Sequence, residues 1–394
     1  MNGPSHSQPA LWRVLAPICA LVFFEFLAMG IPLAVLPARV HGTLGFATFV
    51  VGLVIGAQSW ATLATRHAAG TRTDEHGPRR AAVVGLSVSA LAGMMYVASA
   101  AVPSAGASLA ILLAGRGLLG LGESLVITGA LAWGVALAGR ERSGIVMAWV
   151  GIAMYGALAV GAPLGAALDG ASGFVGMSLA AAMAPVLGLV AMAAARPVAP
   201  AGGARLPFYR VARLIWLPGA GLSLSALGFG AIAAFAPLYF TEHAWSHAAL
   251  GMTAFGAAFV LARLMFGGLP DRIGGARVAV ASTAVATVGQ LGLWFASSGL
   301  MAIAAAALTG FGFSLAFPSF GVEAIRRVPP QNRGVALGAY TASFDLTMGV
   351  GVPLLGIIVG TFGYRAAFGA GAVAGLAALV LSLTLLRAGS SARA

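Results

Sequence analysis

The sequence predicts an all-α membrane protein with twelve transmembrane helices in two pseudo-symmetric six-helix bundles. Three observations lead to this prediction: the composition, the number of long apolar runs, and a repeat between the two halves of the chain. Hydrophobic residues make up 60% of the 394 residues and charged residues only 8%, whereas soluble proteins average about 45–50% and about 25%. This composition excludes an ordinary soluble enzyme.

Twelve apolar runs are each long enough to cross about 30 Å of hydrocarbon as a helix that rises about 1.5 Å per residue. They lack the alternation of barrel strands, and a helix satisfies its own backbone hydrogen bonds in lipid. A segment rich in Pro, Gly and Arg separates the first six runs from the last six. It predicts an N-terminal bundle (1–195), a cytoplasmic linker (196–213) and a C-terminal bundle (214–394). The runs, numbered as spans 1 to 12, are 14–37, 47–69, 80–102, 107–138, 144–169, 174–195, 214–240, 247–269, 277–298, 300–325, 334–362 and 365–387.

The arginines predict the orientation of the chain in the membrane. Basic residues in short loops stay on the cytoplasmic side, and most of the 22 basic residues, all of them arginines, fall there if the N-terminus is inside. Both termini are then cytoplasmic, and we expect a multi-pass protein of the bacterial inner membrane. Because topology accounts for the net charge of +12, the charge does not call for nucleic-acid binding.

The two halves of the chain repeat a short pattern after span 2 and after span 8. Asp74 and Asp271 are 271 − 74 = 197 residues apart, and Arg66 and Arg263 are also 263 − 66 = 197 apart. Glycines in the pattern favour tight turns, and its carboxylates accept hydrogen bonds from arginines or helix N-termini. We interpret it as a conformational latch, the alternative being a basic membrane anchor with turn glycines. The latch residues are Gly70, Asp74, Gly77, Arg79, Arg80, Gly267, Asp271, Arg272, Gly274 and Arg277.

With this duplicated Gly-x-x-x-Asp-x-x-Gly-x-Arg-Arg pattern, the chain resembles the major facilitator superfamily over its whole length. The resemblance implies two six-helix bundles around a central cavity lined by spans 1, 4, 7 and 10. The first copy departs from the family pattern at Glu75, and the second at Ala276, where basic residues are usual. Shorter matches in 31–37, 161–165 and 344–346 are similar to bacterial permeases of the YhhS/YfcJ type, which are described as efflux carriers.

A second repeated pattern occurs in spans 5 and 11, where Pro163 and Pro353 lie among glycines at an offset of 353 − 163 = 190. Prolines at such positions bend a span or allow close packing. Internal repeats of this kind are how secondary transporters build two access states from one fold.

Four ionisable residues fall near the middle of the bilayer within predicted spans: Glu25 in span 1, Arg116 and Glu123 in span 4, and Asp345 in span 11. Without partners, each would cost about 2.5–3.5 kcal/mol at mid-bilayer. We therefore expect them to face partners or a water-filled cavity that also takes a small-molecule substrate. Arg116 and Glu123 are seven residues apart, so they share a helix face at about 10 Å, too far for a direct salt bridge by spacing alone.

These charges predict proton coupling. The resemblance supports this, because the segment from Arg116 to Gly122 is similar to a span-4 pattern of proton-driven antiporters whose arginine is associated with proton transfer. A carboxylate in an apolar cavity binds a proton more readily, and an arginine that moves towards it or away from it would switch that affinity. The alternative is a static ion cluster of Glu25, Arg116 and Glu123 that holds the first bundle together. Asp345 could bind substrate, bind a proton or satisfy a neighbouring helix.

Several other residues carry weaker expectations. Arg263 near the cytoplasmic end of span 8 is expected to reach the membrane interface, and Glu323 to form a salt link with Arg326 and Arg327. Gln58 and Tyr155 could hydrogen-bond a ligand in the cavity, although packing explains them equally well.

The missing motifs narrow the function. A chain without lysine has no phosphate-binding loop for ATP, the histidines form no buried cluster for a metal, and we expect no cofactor. A membrane-embedded enzyme would need a catalytic set that the sequence lacks, so we expect no enzyme activity. We predict a monomeric, proton-driven exporter of a small organic molecule. A proton-coupled importer and, less favoured, a membrane enzyme or sensor are the alternatives.

Overall fold

The computed structural model describes residues 11–139, 142–195, 198, 208–328 and 333–391. These residues form fifteen α-helices and no strand. The predicted linker 196–213 lies mostly outside the described residues. The helices are α1 Leu11–Leu33, α2 Leu36–Ala38, α3 Thr48–His76, α4 Pro78–Ala100, α5 Ala105–Ala138, α6 Ser143–Ala191, α7 Phe208–Leu214, α8 Trp216–Glu242, α9 Ala249–Phe266, α10 Leu269–Ile273, α11 Gly275–Trp294, α12 Gly299–Ile325, α13 Arg333–Leu346, α14 Val352–Phe362 and α15 Arg365–Ser391.

Eleven helical runs in the described part of the chain are long and apolar enough to cross a membrane. One of them, Ile145–Ala191 within α6, has 47 residues, or roughly 70 Å at about 1.5 Å per residue, more than twice the thickness of the hydrocarbon. Its backbone is not helical at Gly173 (φ 68°, ψ −177°). This break separates spans 5 and 6, and it lies where the sequence predicts the end of one run and the start of the next. Counted in this way, the chain has the twelve predicted spans.

The two copies of the repeated pattern end in the same turn. Gly77 has φ 86° and ψ 152° between α3 and α4, and Gly274 has φ 98° and ψ 139° between α10 and α11. Side chains strongly disfavour this backbone region, so glycine is required at both positions. The turn expected at Gly70 is absent because α3 continues to His76. Gly267 ends α9 with φ −56°, a conformation that other residues also adopt.

Close packing of helices within the N-terminal half depends on small residues. Gly161 lies against Gly30, and any side chain at Gly165 would overlap the carbonyl oxygen of Ile31. The backbones of α1 and α6 therefore approach each other directly, as small residues permit between membrane helices. This approach positions α1, which carries Glu25, against the rest of the half.

Span 11 is not a continuous α-helix. Between α13 and α14 the chain forms a π-helical segment, Thr347–Gly351, which directly follows Asp345 and Leu346. Pro353 has no N–H, so it cannot donate the i to i−4 hydrogen bond to the Gly349 carbonyl. That carbonyl is therefore available to a partner outside the helix. Such π segments are common at functional sites.

The Gly77 turn yields a stability prediction. Replacing Gly77 with alanine is expected to lower the free energy of unfolding by about 1–3 kcal/mol, because almost only glycine adopts this conformation. The measurement is unfolding of the purified protein in detergent. Gly117→Ala is the matched control, because Gly117 lies in α5 with open space around it, and there alanine should be neutral or slightly stabilising. Equal stability of Gly77→Ala and the unchanged protein would contradict the prediction.

Candidate functional site

Glu25 is buried in α1 with one carboxylate oxygen unpartnered. Its side chain is 1% exposed. The Ser89 hydroxyl of α4 donates a hydrogen bond of 2.6 Å to Oε1, while the buried Oε2 has no hydrogen-bond partner among the described residues. A buried carboxylate with a bare oxygen is costly unless it carries a proton. Glu25 therefore has the chemistry of a group that binds and releases a proton.

Glu123 of α5 is held by polar side chains of α3. Gln58 donates from Nε2 to Oε2 over 2.5 Å, and the Thr62 hydroxyl lies 3.4 Å from the same oxygen. Glu123 is only partly buried. In this conformation the Gln58 amide therefore binds a carboxylate of the protein.

Arg116 does not contact the two glutamates that the sequence grouped with it. Its guanidinium is fully buried and donates to the backbone carbonyls of Val54 (3.1 Å) and Ile55 (3.0 Å) in α3. Nη1 has no partner. Among the described residues, the static ion cluster of Arg116, Glu25 and Glu123 is therefore not formed by direct ion pairs. The charge of Arg116 still acts on Glu123 through space.

Asp345 forms an ion pair that joins the two halves of the protein. Arg66 of α3 donates to Asp345 Oδ2 from Nε (3.0 Å) and from Nη2 (2.5 Å). Asp345 is 3% exposed. Glu123 lies within electrostatic range of both members of the pair, and Glu25 lies within range of Glu123. The three carboxylates are thus linked electrostatically through Arg66 and Glu123.

Sequence reasoning missed the role of Arg66, which it used only as a marker of the repeat. A signal was present, because Gln58, Thr62 and Arg66 follow one another at intervals of four residues. Residues at this spacing lie on the same face of a helix. That face of α3 presents its polar groups to Glu123 in one half and to Asp345 in the other.

The ion pair is part of a longer polar contact between α3 and span 11, the segment that contains α13 and α14. We call this contact the seam. Near the other end of α3, the Thr48 hydroxyl donates to the Gly356 carbonyl (2.8 Å). Between these points, Trp60 Nε1 donates to the Gly349 carbonyl (2.7 Å), the oxygen that Pro353 leaves free. Three side chains of α3 therefore bind one continuous edge of span 11.

An aromatic cluster forms a second contact between the halves. Tyr155 of α6 stacks on Phe259 of α9, with ring centroids 3.6 Å apart. Phe229, Phe255 and Phe313 surround the same tyrosine at 5.9 to 6.2 Å. We call these five residues the aromatic cluster. It brings spans 5, 7, 8 and 10 together, and all five rings are buried.

Arg263 lies beside this cluster and does not reach the membrane interface as expected. It is 8% exposed, and its guanidinium carbon lies 5.3 Å from the Phe259 ring centroid. The short distance to the end of α9 suggested an interfacial position, but the side chain points between the halves, where Nη2 approaches Gly151 of α6.

The structure separates the latch residues into two groups. Asp74 is partly buried near the end of α3, and Arg79 and Arg80 are exposed in the first turn of α4. Asp271 and Arg272 are exposed in α10, and Arg277 is exposed in α11.

A carboxylate outside the pattern holds the second copy in place. Glu323 Oε1 accepts a hydrogen bond from the Ala276 N–H (3.1 Å), and Glu323 forms the expected salt links with Arg326 and Arg327. A carboxylate at a helix N-terminus is a stabilising arrangement.

Two small cavities lie among the helices, each of about 10 Å³, close to the minimum for one water molecule. One is lined by polar groups of the C-terminal half, such as Thr287, Gln290 and Thr309. None of the four predicted membrane charges lines either cavity. The four charges are instead met by protein groups in this conformation, which is one of the two surroundings expected for them.

Relatives of known sequence cover nearly the whole chain. The Major Facilitator Superfamily matches residues 18–222 and 219–393. An uncharacterized MFS-type transporter of Pseudomonas aeruginosa is 44% identical over 388 residues, which are 98% of this chain and 96% of that protein. One of Burkholderia mallei is 42% identical over 372 residues, which are 94% and 91% of the two chains.

Solved structures with low sequence identity share the fold. The human organic anion transporter MFSD10 matches with a TM-score of 0.71 and 15% identity, over 95% of this chain and 100% of that one. The nucleoside transporter NupG matches with a TM-score of 0.69 and 14% identity, over 94% and 99%. The sequence relatives and the twelve-span fold together show that this chain belongs to the major facilitator superfamily of secondary transporters.

Proposed function

We propose that the protein is a proton-driven exporter of a small organic molecule that works by alternating access. In this proposal it spans the bacterial inner membrane as a monomer, with both termini in the cytoplasm. Residues 1–195 and 214–394 form the two moving bundles, and 196–213 is the linker. The observation that carries the proposal is the Arg66–Asp345 ion pair, because it joins opposite halves within electrostatic range of Glu123.

The ion pair provides a physical link between protonation and movement of the halves. Breaking a buried ion pair by removing one charge costs about 3–5 kcal/mol, because the other charge is left uncompensated. A proton on Asp345 removes the charge that holds Arg66 across the seam. Arg66 then has Glu123, in its own half, as an alternative partner. Protonation therefore exchanges a contact between halves for a contact within one half.

Glu25 and Glu123 are the other proton carriers of the proposal. Glu25 has a bare carboxylate oxygen in this conformation, and its charge repels that of Glu123. Opening of the seam would give both groups access to water from one side of the membrane. Each charge that crosses yields about 2.3 kcal/mol per 100 mV, enough for roughly a 50-fold concentration ratio.

The latch pattern supports the cycling part of the proposal. Its two glycine turns have the same backbone conformation at positions 197 residues apart (274 − 77), so the third span of each half begins after the same turn. In this proposal Asp74, Asp271 and the neighbouring arginines stabilise one conformation and release it when the halves move.

A small organic cargo is consistent with the structural neighbours. Those two proteins are an organic anion transporter and a nucleoside transporter. Export and import are separated by comparing cells that lack the protein with cells that overproduce it. Tolerance to a panel of toxic compounds should rise with overproduction, whereas higher uptake of labelled nutrients would favour the importer.

The carboxylates yield a prediction for driven transport. Glu25→Gln and Glu123→Gln should each reduce pH-gradient-driven flux of the cargo in membrane vesicles at least about tenfold, because glutamine cannot carry the proton. Glu242→Gln is the matched control, because Glu242 is exposed at the end of α8, and its flux should be unchanged. Equal driven flux in all three variants would show that neither glutamate couples transport to protons. If flux through the unchanged protein does not depend on the pH gradient, proton-driven transport is refuted.

The ion pair yields a second prediction, on stability. Arg66→Gln and Asp345→Asn should each destabilise the purified protein, while the double variant should lose less than the sum of the single losses. Groups in direct contact show coupling energies of about 0.5–3 kcal/mol. The measurement is detergent unfolding of the four proteins, with Arg66→Gln combined with the distant Glu242→Gln as an additive control. Simple additivity for Arg66 and Asp345 would mean that the pair does not hold the seam.

A further inference from the structure

Arg263 is a buried arginine whose charge no carboxylate of the described residues neutralises. It forms no ion pair and no hydrogen bond with them, and its buried Nε has no partner. The buried Arg116 and the partly buried Arg66 differ in this respect. Arg66 binds Asp345 and Arg116 binds two carbonyls. The cost of burying a charge without a partner makes an uncompensated arginine a position for which a partner is expected.

The two buried carboxylates of the described C-terminal half already have partners. Asp345 is bound by Arg66. Glu323 is bound by Arg326, Arg327 and the Ala276 N–H. The guanidinium carbon of Arg263 lies 5.3 Å from the centre of the Phe259 ring. A cation over an aromatic face gains about 0.5–2 kcal/mol, which does not replace a negative charge.

The internal repeat shows which partner is missing. Arg66 and Arg263 correspond at the offset of 197, and spans 11 and 5 correspond at the offset of 190. The position in span 5 that corresponds to Asp345 is residue 345 − 190 = 155, which is Tyr155. One arginine therefore binds a carboxylate of the opposite half, whereas the corresponding position for its counterpart is a tyrosine. By this correspondence the second site lacks the negative charge of the first.

The surroundings of the guanidinium suit an aromatic or planar apolar body. Tyr155 stacks directly on Phe259, and the other rings of the aromatic cluster surround them. Because Tyr155 and Phe259 belong to opposite halves, separation of the halves would expose both ring faces beside Arg263. Gly151 has no side chain to occupy the space beside Nη2, and an added Cβ there would lie 3.7 Å from that nitrogen.

We propose that Arg263 and the aromatic cluster form the binding site for an organic anion with an aromatic or planar apolar body. The anionic group pairs with the guanidinium, and the apolar body takes the place that the Tyr155 and Phe259 rings fill for each other in this conformation. The statement that this anion is the transported cargo rests on the proposed function, whereas the statement that the site binds the anion does not.

The test uses probes that differ in charge and share one ring. Melting temperatures of the purified full-length protein in detergent are measured against benzoate, 2-naphthoate, benzamide and benzylamine at constant ionic strength. The carboxylates should raise the melting temperature in a saturable way, and the neutral and cationic probes should not. Equal shifts with benzamide, or no shift with either carboxylate, would overturn the proposal.

Variants identify the residue that binds the anion. Arg263→Gln should weaken carboxylate binding about 10- to 100-fold, the range expected for loss of a charged hydrogen bond, and Arg263→Lys should retain part of it. Arg13→Gln is the control, because Arg13 is exposed at the start of α1, and its binding should be unchanged. An Arg263→Gln protein that keeps its fold and binds benzoate with unchanged affinity would also overturn the proposal.

Flux measurements separate this site from the proposed function. Carboxylate binding that depends on Arg263, together with flux that ignores the pH gradient, would keep the anion site and refute proton-driven transport. Gradient-driven flux of a cargo that neither Arg263→Gln nor benzoate reduces would keep the transporter and refute the anion site as its cargo site.

Discussion

The whole structure depends on one constraint, that a charge buried in hydrocarbon needs a partner. The chain contains few charges, and most of its helix surface needs only apolar packing. Where Arg66 and Asp345 are buried, each takes its partner from the opposite half. The two halves are thus held together by a contact whose strength depends on charge. Apolar packing alone would not change with protonation or with the membrane potential.

The seam illustrates how backbone chemistry makes such a contact specific. Pro353 cannot donate to the Gly349 carbonyl, the helix forms a π segment there, and the Trp60 indole binds the free oxygen. Hydrogen bonds of this kind orient the two halves without covalent linkage. They are individually weak, so a change at the ion pair is large enough to alter the balance between closed and open arrangements.

The two halves repeat some structural features and differ in others. The Gly77 and Gly274 turns repeat the same backbone conformation, as expected of related halves that move against each other. The arginines Arg66 and Arg263 repeat as well, but their surroundings do not, since one binds a carboxylate and the other lies over an aromatic ring. In our proposals the first site responds to protons and the second takes the cargo, so one ancestral position serves two purposes.

The sequence by itself determined the number of spans and the repeat, because crossing a bilayer requires long apolar runs whose length and spacing are visible locally. It also identified Glu25, Arg116, Glu123 and Asp345, because a charge in such a run is conspicuous wherever it points. Only the tertiary structure decided the partners. Contacts across 279 residues, such as that of Arg66 with Asp345, depend on which helix faces meet, and glycine-rich helices with apolar residues on every side leave no hydrophobic stripe from which those faces could be read.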